Sequence, residues 1–354
     1  MSVKLTHTIG RNETYTRNSE GAFLRLNDGG ILFVYSRFTG ANGYDDAACD
    51  LVCEVSRDEG ESWSEARVLM EAGTWGVKNI MSVSLLRMLN GDLGLIYLIK
   101  QNDRSSTVML SRSRDEGVTF YRHTPCTLSD RPAYFVINND RAERLKSGRI
   151  VLPLAYHRRG LVQNGYTDWR SIEMFLLSDD DGETWREAAD IVYPPFTRAG
   201  AGLQEPGVIE LRDDLLMSYA RTDKLCQYVS YSFDSGEHWT NAEPSAFSSP
   251  CSPMKIARNP ANGDLYAVWN PIPNYAGRRI YDGCGGRTPI VYAVSRDNAQ
   301  SWSAPTVIEG REDHGYCYPA LFFTRDNSLL VSYCAGGPED GHCLTRTNIS
   351  KIGL

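Results

Sequence analysis

The sequence predicts an all-β fold, a six-bladed β-propeller with four antiparallel strands per blade, and three observations predict it. A phrase of the form Ser-x-Asp-x-Gly-x-(Ser/Thr/His)-(Trp/Phe) is written five times, at Ser56 to Trp63, Ser113 to Phe120, Ser178 to Trp185, Ser232 to Trp239 and Ser295 to Trp302. Its aspartates, Asp58, Asp115, Asp180, Asp234 and Asp297, stand 54 to 65 residues apart, which suits a propeller blade and is too long for helical-hairpin or leucine-rich solenoids. Between these boxes runs an apolar strand, a Gly/Asn/Asp turn and a second apolar strand closing on an aromatic, the pattern of a β-hairpin. These second strands close on Tyr35, Tyr97, Tyr156, Tyr219, Trp269 and Tyr333, making six hairpins against five boxes.

Each element has a local cause. In the box, the Asp carboxylate accepts bonds from backbone N–H groups of a tight turn, and glycine supplies the positive φ in four of the five copies. The terminal aromatic buries itself as the next strand begins. Each unit therefore reads strand, hairpin, strand, long loop, strand, box, strand. In the first unit the strands are expected at 20–26, 31–38, 50–56 and 62–69. Radial repetition of such units leaves only short, protected edges. The last hairpin lacks a box and is followed only by Cys343 to Ile352, so the stretch Val3 to Ile9 is expected to complete the final blade and close the ring. The whole of 1–354 then forms one domain.

Composition narrows the function. With 42% hydrophobic residues, the 354-residue chain can build a large core, and no apolar run approaches a membrane span. The opening Met1 to His7 lacks the apolar stretch of a signal peptide, and nine cysteines without paired CxxC spacing read as reduced, mostly buried thiols, so a cytoplasmic protein is expected. A net charge of −7 with scattered basic residues disfavours nucleic acid and anionic membrane as partners. The Asn-x-Ser/Thr sites at Asn12 and Asn348 read as chance. Phosphate-loop, dinucleotide, zinc-protease and serine-hydrolase phrases are absent, and no cofactor or metal is expected.

Propeller topology sorts the remaining polar residues. The starts of first strands, the ends of second strands and the loops that follow share one face, while the box turns lie on the other. The first face collects Arg17, Arg37, Asp45, Asp46 and Asp50, then Asn138 to Asp140 with His157, Arg158 and Arg159, then Gln204, Glu205 and Arg221, and finally Arg287, His314, Tyr316 and Tyr318. Several guanidinium groups converging on one funnel call for an anionic ligand, and their planar forks fit a carboxylate.

The boxes, the hairpins and these intervals together resemble the sialidase (neuraminidase) superfamily, specifically the neuraminidase-like Asp-box (BNR repeat) proteins, over nearly the whole chain. The resemblance implies a sialidase-like propeller whose substrate carboxylate is held by three arginines. Arg17 stands at the place of the first, twelve residues before Gly29, although the family's Ile-Pro is replaced by Asn18-Ser19; Arg37 is the reserve candidate. Arg221, sixteen residues after Glu205, matches the second, and Arg287, thirty-one before Tyr318, the third. The resemblance further implies Tyr318 as nucleophile with Glu205 accepting its proton, and Asp46 as general acid/base in the phrase Asp46-Ala47-Ala48-Cys49-Asp50, with Asp45 as alternative.

A phenol is a weak nucleophile at neutral pH until a carboxylate takes its proton, and sialidases are the tyrosine-using exception among glycosidases. The expected function is retaining exo-cleavage of a terminal α-keto-acid sugar, sialic acid or a relative, from a glycan or glycoconjugate. One alternative is action on a different sugar, uronic, deoxy-octulosonic or neutral, on the same scaffold; another is a non-catalytic propeller that binds glycan or protein. Trp75 and Trp169 fall on loops where an indole can face a sugar ring or pack inside.

Overall fold

The computed structural model describes residues 2–40, 42–102, 105–128, 133–158, 167–196, 198–272 and 284–354. Its strands run as follows. After β1 (Val3–Ile9) come β2 (Tyr15–Arg25), β3 (Ile31–Thr39), β4 (Ala48–Ser56), β5 (Arg67–Met70), β6 (Asn79–Arg87), β7 (Leu93–Asn102), β8 (Ser105–Ser113) and β9 (Arg122–Pro125). Next are β10 (Tyr134–Val136), β11 (Glu143–Arg144), β12 (Ile150–His157), β13 (Ile172–Ser178) and β14 (Arg186–Glu187). Then follow β15 (Gln204–Arg212), β16 (Leu215–Arg221), β17 (Cys226–Ser232) and β18 (Glu243–Ser248), and β19 (Lys255–Arg258), β20 (Leu265–Trp269), β21 (Ile290–Ser295) and β22 (Thr306–Glu309). The chain ends with β23 (Gly315–Phe323), β24 (Ser328–Gly336) and β25 (Arg346–Gly353).

The protein is all-β, but the expectation of six separate four-stranded blades is corrected by its hydrogen bonding. The described strands form five sheets: four stand alone as blade-like units, and the fifth has eight strands, β2 to β9. The cause is one parallel backbone pair, Cys49 with Asn79, where the Cys49 N–H donates to the Lys78 carbonyl at 2.9 Å. Nor is the strand number uniform. The sheet β10 to β14 has five strands because its first strand is split by residues 137–142, leaving β10 and β11 both paired with β12. In the first unit, the strand expected at 62–69 shortens to β5, since the box turn and Ser64 occupy the preceding residues, with Ser64 N–H bonded to the Val55 carbonyl at 2.9 Å.

The boxes fold by their own local bonds. In the first copy, Ser62 N–H donates to Asp58 Oδ1 at 2.9 Å and Gly60 N–H to Ser56 Oγ at 2.8 Å. The same two bonds recur at Asp115, Asp180, Asp234 and Asp297. Satisfying buried turn donors with one carboxylate makes each box a fold element. Its aromatic packs into the neighbouring core, as Trp63 does beside Phe23 and Phe33.

Apolar residues alternate to both faces of each sheet, so a core fills every gap between neighbours. Leu32, Val34, Leu51 and Leu93 fill one such gap, and Ile209, Met217, Ile256 and Leu265 another. Phe23, Phe33, Leu330 and Ile349 join the first strands of the chain to the last. β1 pairs antiparallel with β25, from Val3 opposite Ile352 to Ile9 opposite Thr347. The inner strands touch in the order β6, β2, β23, β19, β15, with β12 against β15 and β10 against β8, giving a propeller-like circle.

Four inner strands share one irregularity. Register shifts put two residues opposite one at Glu20-Gly21 in β2, Ser82-Val83 in β6, Glu205-Pro206 in β15 and Tyr318-Pro319 in β23. In each pair the first residue is left-handed, with φ of 56°, 60°, 48° and 56° for Glu20, Ser82, Glu205 and Tyr318. Such a β-bulge bends the strand and re-aims a side chain. Crowding beside it is severe: a Cβ on Gly21 would lie 2.2 Å from Phe33 Cζ, and one on Gly207 2.4 Å from Tyr219 Cζ. Gly21→Ala is therefore expected to destabilise the protein by about 2–3 kcal/mol, while Gly10→Ala, in open space, changes little; urea denaturation of both variants measures this.

Candidate active site

The bulges converge on one place. Tyr318 Oη donates to Glu205 Oε1 at 3.0 Å, and Arg221 Nη1 donates to Glu205 Oε2 at 2.7 Å. Tyr318 and Glu205 are each only 9% exposed. Burial, then the nearby Glu205 carboxyl, push the Tyr318 phenol well above its ordinary range, against the pull of Arg221 and Arg287. The phenol is therefore protonated at neutral pH, and Glu205 is the group in reach of its proton.

Arg287 completes this corner with its guanidinium carbon 5.7 Å from the Tyr318 ring centroid. Its Nη1 meets Cys317 Sγ at 3.4 Å and its Nη2 the Cys251 carbonyl at 3.2 Å. Among the described residues no carboxylate pairs with it, whereas Arg221 has Glu205. A partly desolvated cation of this kind is complete only with an anion.

Arg17 is paired at every nitrogen. It is buried, with Nε bonded to Ser19 Oγ at 2.8 Å, Nη2 to Glu20 Oε1 at 3.0 Å, and Nη1 to Asp45 Oδ1 at 2.6 Å and the Gly43 carbonyl at 3.3 Å. Burial raises the Asp45 carboxyl, but Arg17 more than reverses this, with Lys100 and Arg221 adding, and the net value falls below the usual carboxylate range. Glu20 goes the other way. Burial, reinforced by Asp45 and Glu205 and opposed by Arg17 and Lys100, pushes its carboxyl up to about 7.

A cavity of about 190 Å³ opens over Tyr318, Glu205 and Arg221, lined also by Asp45, His157 and Trp169 among others, while Arg17 and Asp45 line a second cavity of about 580 Å³. Asp46, Arg17 and Arg287 are not among the lining residues of the first; Asp45 is. The Asp45 carbonyl is held by Asn79 Nδ2 at 3.1 Å and Lys100 Nζ at 2.6 Å, and Asn79 Nδ2 also bonds the Ala47 carbonyl at 2.7 Å. The strand contact that fuses the large sheet thus fixes the loop carrying Asp45. Opposite, Trp169, His157 and Tyr134 form an aromatic wall with centroids 5.6 to 5.9 Å apart, and burial lowers the His157 imidazole below its ordinary range.

Under the cavity, Asn139 Nδ2 donates to the Gly21 carbonyl at 2.7 Å and the Tyr318 carbonyl at 3.3 Å, tying two bulges to the excursion between β10 and β11. Asp140 N–H bonds the Val83 carbonyl at 2.8 Å, and Asp140 Oδ2 accepts from Leu321 N–H at 3.2 Å.

Other rim residues go elsewhere. Arg37 lies over the Tyr15 ring and bonds Tyr35 Oη at 2.5 Å; Asp50 caps Ala72 N–H at 2.7 Å; Tyr316 bonds Glu309 at 3.3 Å; Trp75 packs on Tyr97 and His123. Arg158 pairs with Asp168, and Arg159 lies outside the described residues. His314, Glu339 and Asp340 stand close enough to share a metal ion, but Arg346 and Arg311 already approach those carboxylates at 3.3 and 3.8 Å, so the cluster is balanced as an ion-pair network. Sequence reading missed Glu20, Asn79 and Lys100, while it had placed Asn139 on this face without a role. An acidic residue directly before a glycine in a first strand was the available signal for Glu20.

Residues 38–331 match the model of the BNR repeat-like domain. A search of curated proteins finds no match. Among solved structures, the chain is similar to a protein of unknown function from Dyadobacter fermentans, with 19% identity, 99% of each chain covered and a TM-score of 0.71. It is also similar to the NanB sialidase of Streptococcus pneumoniae, with 14% identity, 99% of this chain and 70% of that one covered and a TM-score of 0.71. A third is the Trypanosoma rangeli sialidase in complex with 2,3-difluorosialic acid as a covalent intermediate, with 13% identity, 97% and 55% covered and a TM-score of 0.69. At these identities the likeness is one of fold.

The two arginines of the Tyr318 corner should respond oppositely to removal. Arg221→Met strands the buried Glu205 and is expected to cost about 3 kcal/mol of stability, whereas Arg287→Met, which leaves no carboxylate behind, stays within about 1 kcal/mol of the parent or stabilises it. Equal losses in chemical denaturation would contradict this difference in their pairing.

Proposed function

From the premise that the chain belongs to the BNR repeat-like domain family and shares the sialidase fold, we propose that it is a retaining glycoside hydrolase acting on a terminal sugar that bears a carboxylate, sialic acid or a relative. The observation that carries this reading is the buried Tyr318–Glu205 hydrogen bond beside Arg287, a cation without a carboxylate partner among the described residues. Tyrosine suits an anomeric carbon that already carries a carboxylate, because an anionic carboxylate nucleophile would be repelled there.

In this reading the sugar carboxylate is held by Arg287 and by the remaining donors of Arg221. Tyr318 Oη attacks the anomeric carbon while its proton passes to Glu205, and the glycosidic bond breaks as its oxygen is protonated. Asp45, at the cavity wall, takes the acid role in place of Asp46 and then activates the water that releases the sugar. Microscopic reversibility returns the proton from Glu205 to Tyr318. Trp169 and His157 supply an apolar wall for the ring.

Two outcomes follow from these roles. Tyr318→Phe is expected to lower turnover of an aryl sialoside by at least about 10³-fold while binding of the free sugar stays measurable, and an unchanged rate would sink the nucleophile assignment. Because Arg17 holds the Asp45 carboxyl below its usual range, the acid form is scarce at neutral pH, and kcat/KM should climb as the medium is made acidic. A rate that instead climbs toward alkaline pH would argue against Asp45 as the acid.

A further inference from the structure

Glu20 is a buried carboxyl that the proposed chemistry does not use, and it occupies a telling position. Its bulge is the β2 counterpart of the bulges that carry Glu205 and Tyr318, with the same two-against-one register and left-handed φ. Backbone strain of this kind, retained in a non-glycine residue, gathers at ligand clamps and active sites. A glutamate there costs more than a serine, the residue held at the equivalent place in β6, because its charge is buried at 4% exposure.

The partner of that charge is Arg17. Ser19 takes Nε, Asp45 and the Gly43 carbonyl take Nη1, and Glu20 holds Nη2, which leaves one N–H, on the nitrogen that Glu20 already binds. Arg221 and Arg287 each have a terminal or inner nitrogen without a bonded carboxylate. The funnel therefore holds three arginines that differ in what they can still bind.

We infer that Glu20 is a specificity-determining residue that withdraws Arg17 from ligand binding, so that an anionic sugar is held by Arg287 and Arg221 alone and Arg17 is kept as the anchor of Asp45. The inference rests on the glycosidase reading above and assigns a preference within it. Glu20 acts through Arg17, without touching the reacting atoms. A site built this way tolerates a weakly bound carboxylate and disfavours ligands with a second negative group near β2, which Glu20 repels.

A pH signature separates this role from a structural one. The groups that face Glu20 are Arg17 on its own strand, Asp45 and Cys49 around β4, Lys100 on β7, Glu205 on β15 and Tyr318 on β23, with His157 beyond Glu205. Its own carboxyl titrates near 7, while burial holds the Cys49 thiol and the Tyr318 phenol high and Arg17 keeps Asp45 low. Protonating Glu20 removes a negative charge and loosens its hold on Arg17, so a carboxylated sugar binds more tightly as the pH falls through that range.

The test is calorimetric binding of free N-acetylneuraminic acid to the intact protein and its variants at about pH 8 and about pH 5.5. Glu20→Gln is expected to bind about tenfold more tightly than the parent at the higher pH, the worth of one freed charge-assisted contact, and to show no advantage at the lower. Glu20→Gly, which also suits the left-handed backbone, should behave alike, and the gain should vanish in Glu20→Gln combined with Arg17→Met. If the parent binds the sugar, loses it on Arg287→Met, and Glu20→Gln brings no tightening, the inference falls while the glycosidase reading stands. If neither the parent nor any variant binds the sugar, the anionic-sugar reading itself falls and takes the inference with it.

Discussion

The left-handed bulge repeated in β2, β6, β15 and β23 is the constraint on which the rest of the site depends. A regular inner strand would alternate its side chains between the two neighbouring cores. An inserted residue at φ near +55° breaks that alternation, and it does so at Glu20, Ser82, Glu205 and Tyr318. Left-handed backbone costs these residues of order 1 kcal/mol each, and it persists because the surroundings over-determine it: tyrosines 35, 97 and 333 fill the opposing positions in three of the four strands, and Asn139 clamps the carbonyls of Gly21 and Tyr318 together. Tyr318 and Glu205 are thereby set on strands rather than loops, with their contact at hydrogen-bond length.

The second constraint is the joint between β4 and β6. One backbone pair merges two units into an eight-stranded sheet, and the same Asn79 that makes it holds the carbonyls of Asp45 and Ala47. Asp45 is thus placed by its neighbour in the ring, with Lys100 as a second tether, even though its side chain is exposed. Arg17 then determines its charge. A carboxylate anchored by a cation resists protonation, which keeps Asp45 below the usual carboxylate range.

What could be read from the sequence was what is encoded by neighbours in the chain. The box turns close with bonds spanning four residues, so five local copies announced themselves, and the hairpins likewise. Tyr318, Glu205, Arg221 and Arg287, found by measuring from hairpins to strand ends, meet in the structure, because strand topology brings those ends to one rim. The count of separate blades was not legible, since it turned on a single Cys49–Asn79 pair, and the strand number of one blade turned on the excursion that splits β10 from β11. That Asp45 rather than Asp46 lines the cavity depends on the loop's path, as adjacent residues on a turn point different ways. Glu20 stayed hidden because a bulge is a property of backbone φ, and its glutamate reads as an ordinary strand residue.

The central claim is that Tyr318 forms a covalent bond to the sugar, and trapping tests it most directly. The protein is incubated with 2,3-difluorosialic acid, whose C2 fluorine leaves as fluoride when the nucleophile attacks and whose C3 fluorine slows breakdown of the glycosyl-enzyme, then digested and analysed by mass spectrometry. The account predicts one added sugar on the peptide containing Tyr318, localised by fragmentation to that side chain. A protein that turns over an aryl sialoside yet carries the sugar on Glu205 or Asp45 would contradict it.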